Sequence, residues 1–225
     1  MNTLRRPEVA ALLDELYDAA ARTDAPLMAR FASLDSAARA SLLRDWRRLY
    51  GAEATEAYMP VRRPIGEWLY TLARMRDAQT IVELGTSFGL SAIHLAAALL
   101  DRGGGRLVTT ELSPEKAARA GEHLARAGLD HLVEIRVGDA LETLRDLPPT
   151  DLLHLDGAKQ LYGAVLRRVE PVLTPAAVVV ADNVDFVELV GDFTAHLDDP
   201  ANGYASHELV VGGAPIAVAV RLGHA

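Results

Sequence analysis

Between residues 80 and 198 of this 225-residue chain, short β-branched runs alternate with helical stretches five times. "TIVELG" (80–85) precedes "GLSAIHLAAALLDRG". "RLVTTE" (106–111) precedes "SPEKAARAGEHLARAG", with Pro114 in its first turn. "HLVEIRVGD" precedes "ALETLRDL", "DLLHLD" precedes "KQLYGAVLRRVEPVL", and "AAVVVAD" precedes "FVELVGDFTAHL". A strand–helix–strand repeat pairs its strands in parallel, because an antiparallel return needs only a short turn. Two more strands, "SHELVV" and "IAVAVRL", follow with only Gly212, Gly213 and Pro215 between them. The pattern predicts an α/β fold: a parallel sheet covered on both faces, with an antiparallel pair at its C-terminal edge.

Ligands of such sheets bind beyond the carboxyl ends of the strands, so the last residue of each strand is the one to inspect. Four strands end in an acid, Glu111, Asp139, Asp156 and Asp182, and Glu83 stands two residues before the end of the first. Acids gathered on one rim repel each other unless a cation or a hydroxyl-rich ligand joins them.

Composition removes several alternatives. The chain has no cysteine, so disulfides, zinc–thiolate sites and cysteine nucleophiles are excluded. Its net charge of −8 argues against nucleic acid or an anionic membrane as partner. No stretch reaches the ~20 consecutive apolar residues of a membrane span. Asp14 and Glu15 interrupt the N-terminal apolar pattern, which reads as an amphipathic helix and not a signal peptide, so a cytoplasmic protein is expected.

Residues 1 to about 50 read as helical. "EVAALLDELYDAAAR" places Val9, Leu12, Leu13 and Leu16 on one face, and "LDSAARASLLRDWRRLYG" repeats the theme, with Ser33 or Asp35 as caps and Gly51 as a stop. Another helix spans about 65–75. Residues 1–57 are thus expected to form a helical arm that covers the site or builds a homodimer, and residues 58–225 the ligand-binding domain. Trp46 and Trp68 read as packing residues. The histidines (94, 123, 131, 154, 196, 207 and 224) show no ligand spacing, and His154 reads as a hydrogen-bonded core residue.

"ELGTSFGLS" (83–91) is a strand, a glycine turn and a helix start. Its Gly85 and Gly89 do not match the dinucleotide G-x-G-x-x-G. Glycine there admits a small ligand close to the backbone, and the helix start, with Ser91, favours a carboxylate; a plain βα turn would look the same. Glu111 is placed either to accept from two ribose hydroxyls or to cap the next helix, and Asp139 either to meet an adenine edge or to act as an N-cap. Asp156, Asp182 and Asn183 end neighbouring strands. Three oxygen donors suit a hard divalent cation such as Mg²⁺, with waters or substrate oxygens completing roughly six-fold coordination. Lys159, beside a cation in a partly dry cleft, would lose its proton more easily and serve as a base.

Together, "YMPVRRPIGEWL", "VELGTSFGLSAIHLA", "TTELSPEKA", "VGDALETL", "LDGAKQLY" and "VVVADNV" resemble the class I S-adenosylmethionine-dependent methyltransferases. The closer resemblance is to the cation-dependent O-methyltransferases, the group of catechol and caffeoyl-CoA O-methyltransferases. It implies a Rossmann-like, seven-stranded, mostly parallel sheet with an antiparallel C-terminal edge hairpin. It also implies S-adenosylmethionine and Mg²⁺ (or another divalent cation such as Mn²⁺ or Ca²⁺) as cofactors, and an aromatic hydroxyl acceptor. By that resemblance, Met59 and Val61 border the methionine moiety, and Glu83, Gly85 and Ser91 hold its amino-acid end. Glu111 takes the ribose, and Asp139 and Ala140 lie by the adenine. Asp156, Asp182 and Asn183 hold the metal, Asp156 also reaching the cofactor amino group, and Lys159 is the general base. Gly157-Ala158 and Ala57 stand where catechol-type members carry bulky aromatics, which implies a roomier pocket, and no acid matches the one those members place late in the chain. Two other readings compete: a nicotinamide-dependent oxidoreductase, disfavoured by the glycine spacing, and a non-catalytic cofactor-binding protein.

Overall fold

The computed structural model describes residues 2–223, the side chains at 36, 40, 51 and 52 aside. Its strands are Thr80–Leu84 (β1), Arg106–Glu111 (β2), Val133–Val137 (β3), Thr150–Leu155 (β4), Leu173–Asp182 (β5), Tyr204–Val211 (β6) and Ala214–Arg221 (β7). Its helices are Pro7–Ser33 (α1), Ser36–Arg44 (α2), Trp46–Arg48 (α3), Arg63–Met75 (α4), Leu90–Arg102 (α5), Pro114–Arg126 (α6), Ala140–Thr143 (α7), Tyr162–Val169 (α8) and Val187–Asp198 (α9). The strands form one sheet in the order β3-β2-β1-β4-β5-β7-β6. The first five are parallel, and β7 runs antiparallel to both β5 and β6, as the alternation predicted.

Strand periodicity sorts the apolar residues into two cores. The register partners Ile81, Leu107 and Leu152 enter one core with α1, α4 and α5, while their neighbours Val82, Val108 and Leu153 enter the other with α8 and α9. Because β1 pairs with both β2 and β4, strand order reverses beside it, and the loops after β1 and β4 open a crevice there. At the opposite end, the Asp151 carboxylate gathers three strands. It accepts from the Gln79 amide (2.8 Å), the Thr80 amide (3.1 Å), the Thr174 hydroxyl (2.8 Å) and Arg76 (3.2 Å).

The arm packs on the sheet domain. Val9, Leu12, Leu13 and Leu16 are buried in the same core as β1 and α5, and Thr3 donates through its amide (2.6 Å) and hydroxyl (2.7 Å) to Asp101 on α5. Asp35 caps α2 by accepting from the Ala38 amide, whereas Ser33 ends α1 and donates to the Arg30 carbonyl. Gly51 does not stop the helix as expected. The chain runs through it in one wide turn, Leu49–Glu53, closed by the Ala54 amide on the Leu49 carbonyl (2.7 Å). Pro215 lies inside β7, opposite Val210, and Gly212 and Gly213, both at positive φ, make the hairpin turn alone. No described helix is long and apolar enough to cross a membrane.

Candidate active site

A cavity of about 540 Å³ opens at the carboxyl ends of the strands, between the loops of the sheet domain and the arm. Gly85 forms its floor. Its φ is +99°, and a Cβ there would stand 2.6 Å from the Asp156 carbonyl oxygen. Only glycine lets the loop after β1 pass so close to the loop after β4.

Glu111, at the end of β2, accepts from the Ser87 amide (2.7 Å) on one oxygen and the Ser113 amide (3.0 Å) on the other. Each carboxylate oxygen has a second lone pair free for a ligand hydroxyl. Ser87, at φ +45°, also donates its hydroxyl to the Tyr58 carbonyl (2.6 Å). The Tyr58 and Met59 amides both donate to Asp24, a buried acid in mid-α1, at 2.7 Å each. The loop carrying Met59 into the cavity is therefore held from the arm on one side and from the β1 loop on the other.

Asp156, Asp182, Asn183 and Lys159 line the same cavity. The Lys159 ammonium donates to Asp156 Oδ1 (3.0 Å) and to the Tyr162 hydroxyl (2.8 Å), which in turn donates to the Asp182 carbonyl (3.0 Å). Asn183 has a left-handed φ of +55°, a conformation asparagine tolerates well. Burial, then the nearby charge of Asp156, raises the Asp182 carboxyl to about 6, against Lys159 and His154. Burial favours the neutral Lys159 amine, but Tyr162, Asp156, Asp182 and Tyr50 outweigh it and hold the ammonium above its ordinary range. The sequence expected the opposite direction; Tyr162, then Asp156 and Asp182, raise the ammonium more than burial lowers it.

Asp156, Asp182 and Asn183 fit a divalent cation by their chemistry. Asp182 Oδ1 is buried with no hydrogen-bond partner, a state that leaves a polar atom uncompensated. Among the described residues no group of three or more His, Cys, Asp or Glu side chains is disposed to hold a metal. The set is two carboxylates and an amide, all oxygen donors, which suits a hard ion.

Of the residues singled out in the sequence, Met59, Gly85, Glu111, Ala140, Asp156, Lys159, Asp182 and Asn183 line the cavity. Val61 and Ser91 are buried outside its wall. Glu83 is fully buried, accepting from Thr109 (2.7 Å) and meeting His154 Nδ1 (3.1 Å). His154 is thus the core histidine expected. Burial opposes its charging, but the Glu83 bond and the charges of Glu83, Asp156 and Asp182 prevail, so its pKa lies above the usual value. Asp139 caps α7 through the Leu141 amide (3.0 Å) and pairs with Arg47 of the arm (2.5 Å). His224 and Ala225 lie outside the described residues.

Comparison with known proteins agrees with this geometry. A methyltransferase domain model matches residues 82–184. A catechol O-methyltransferase of Niastella koreensis is 37% identical over 138 residues, covering 59% of this chain and 62% of that protein, so the chain spans less than two thirds of that relative. A catechol O-methyltransferase of Sus scrofa is 33% identical over 150 residues, covering 63% and 79%. The structure of the O-methyltransferase TomG from Streptomyces achromogenes, in complex with S-adenosylmethionine, superposes with a TM-score of 0.68 at 30% identity, covering 85% and 92%. The chain belongs to the class I O-methyltransferases.

Within this O-methyltransferase fold, the arm supplies wall residues that sequence reasoning did not assign to the site: Phe31, Trp46 and Tyr50, joined by Phe186 after β5. The pocket lacks bulk at Gly157-Ala158, yet it is not without aromatic walls. A Cβ at Gly157 would stand 2.7 Å from Leu84 Cγ, so a side chain there would have to displace Leu84. The missed signal was "LRDWRRLYG", whose apolar residues divide between the protein core and the cavity.

Proposed function

We propose that this protein transfers the methyl group of S-adenosylmethionine to one hydroxyl of a vicinal pair on an aromatic small molecule, with a divalent metal ion as cofactor. The observation that carries the reading is the buried, unpartnered Asp182 Oδ1 beside Asp156, Asn183 and Lys159. The catechol O-methyltransferase names of the relatives support the acceptor class.

Met59, Gly85, Glu111 and Ala140 bind and orient the cofactor along the β1–β2–β3 side, while Phe31, Tyr50 and Phe186 exclude water from the acceptor. When bound to Asp156, Asp182 and Asn183, a divalent cation supplies positive charge that acidifies an acceptor hydroxyl and offsets the acids that keep Lys159 protonated. The Lys159 amine takes the hydroxyl proton. S-adenosylmethionine, held by Met59, Gly85, Glu111 and Ala140, would supply an electrophilic methyl group on a cationic sulfur, toward which the acceptor oxygen freed of its proton by Lys159 would be directed.

The test combines turnover with calorimetry. Chelator abolishes transfer to a catechol, and Mn²⁺ binds the wild-type protein but at least about tenfold more weakly to Asp182→Asn. Full transfer in excess chelator, or equal Mn²⁺ affinity in the variant, overturns the metal role.

A further inference from the structure

The acceptor side of the cavity carries two arginines with no acidic partner. Arg39 on α2 and Arg62 before α4 both line it, and neither forms a salt bridge among the described residues. Arg30, Arg44, Arg47 and Arg63 pair with carboxylates, whereas Arg22, Arg74 and Arg168, away from the cavity, form no ion pair among the described residues. The guanidinium of Arg39 is further underused. Its Nη2 reaches the Leu34 carbonyl at 3.3 Å, and its Nε is buried with no acceptor. Arg62 donates one bond, to the Gly212 carbonyl (2.9 Å) in the β6–β7 turn.

Their places in the fold put both beyond the β5 end. The Arg39 helix carries Leu43, which clusters with Phe186 and Leu189 just after Asn183. The turn holding Arg62 lies where Pro215 accepts from the Val184 amide. The other cavity charges have partners or tasks. Lys116 donates to the Ala57 carbonyl (2.7 Å), Lys159 pairs with Asp156, and Glu111 faces the ribose position. Arg39 and Arg62 are thus cavity arginines with no carboxylate partner among the described residues.

We propose that Arg39, assisted by Arg62, selects acceptors that carry a carboxylate on the hydroxylated ring. A guanidinium presents its N–H groups in a planar fork that matches a carboxylate, and in a partly buried site that pairing gains more than at the open surface. The inference rests on the aromatic-acceptor reading above and narrows its substrate class.

Two probes of nearly equal shape test it: dihydroxybenzoate with adjacent hydroxyls, and its neutral amide. Affinities are measured calorimetrically with S-adenosylhomocysteine and Mg²⁺ present, and kcat/KM is measured in parallel. The wild type prefers the carboxylate by about tenfold. Arg39→Gln brings the ratio near one through KM, Arg39→Lys retains part of it, and Arg62→Gln lowers it by a smaller factor. A wild-type ratio near one, or a ratio unchanged in both glutamine variants, overturns the assignment. Carboxylate-selective binding that depends on Arg39 but leads to no methyl transfer upholds the arginine subsite and overturns the proposed reaction instead.

Discussion

The Asp24 carboxylate in the middle of α1 and the backbone amide of Met59 are 2.7 Å apart, and the other oxygen of the same carboxylate holds the Tyr58 amide at the same distance. Met59 has a φ of +41°, a conformation a non-glycine residue keeps only when its surroundings impose it. One acid of the arm thus fixes the strained segment that enters the cavity at Met59, where we propose the cofactor binds. Asparagine has one acceptor oxygen in place of two, so Asp24→Asn releases one of the two amides. We expect a loss of about 1–3 kcal/mol in stability by denaturant melts, with S-adenosylhomocysteine affinity falling about tenfold by calorimetry. Unchanged affinity in a destabilised protein would restrict Asp24 to a folding role.

Gly85 joins the two halves of the site. Its positive φ and the 2.6 Å approach to the Asp156 carbonyl both oppose a side chain. Gly85→Ala must move the β4 loop or the β1 loop, and it is expected to destabilise the fold by about 2 kcal/mol or more. Because the carbonyl displaced belongs to a proposed metal ligand, Mn²⁺ affinity falls as well. Gly103→Ala, also at positive φ but with open space around it, isolates the backbone component and leaves Mn²⁺ affinity intact.

These two contacts show why part of the site was legible in the sequence and part was not. Asp156, Lys159, Asp182 and Asn183 sit at strand ends or in the loops that follow, and strand ends are visible as the last residue of an apolar run. The β4–β5 pairing then brings them together without further information. Asp24 offers no such mark: an acid in a helix reads as a solvated face, and only packing of α1 on the loop at 58–59 turns it inward. Glu83 errs the other way. It looked like a rim residue, but its side chain turns into the sheet to meet Thr109 and His154. Strand alternation makes that possible, though it does not say which face is open to the ligand.

In the proposed reaction Lys159 serves the chemistry and not cofactor binding. Its amine contacts Asp156 and the Tyr162 hydroxyl, whereas Glu111, proposed for the cofactor, is held by the Ser87 amide. Lys159→Ala is expected to reduce kcat by about 100-fold or more, with S-adenosylhomocysteine affinity, by calorimetry, within about twofold of wild type. Lys159→Arg keeps the charge but cannot release a proton near neutral pH, so it should not restore turnover. Recovery of activity in the arginine variant would make the residue a charge for positioning and not a base.

Asp151 provides a pH signature far from the cavity. Burial raises its carboxyl, but the Gln79 amide, the Thr174 hydroxyl, the Thr80 amide and Arg76 together hold it below the ordinary value of 3.8. An acid whose folded pKa is depressed contributes stability that is fully present above its unfolded pKa. That contribution is lost as pH falls below about 3.8 and through the folded value. Asp151→Asn removes the charge at every pH, so near neutrality it should lower stability by about 2 kcal/mol. Below pH ~3.8 the wild type loses the same contribution by protonation, and the two melting curves should converge. Urea melts of both proteins at neutral and acid pH check this. A gap that stays constant across the range would mean the carboxylate bonds at the amino ends of β1, β4 and β5 do not carry the charge-dependent stability assigned to them.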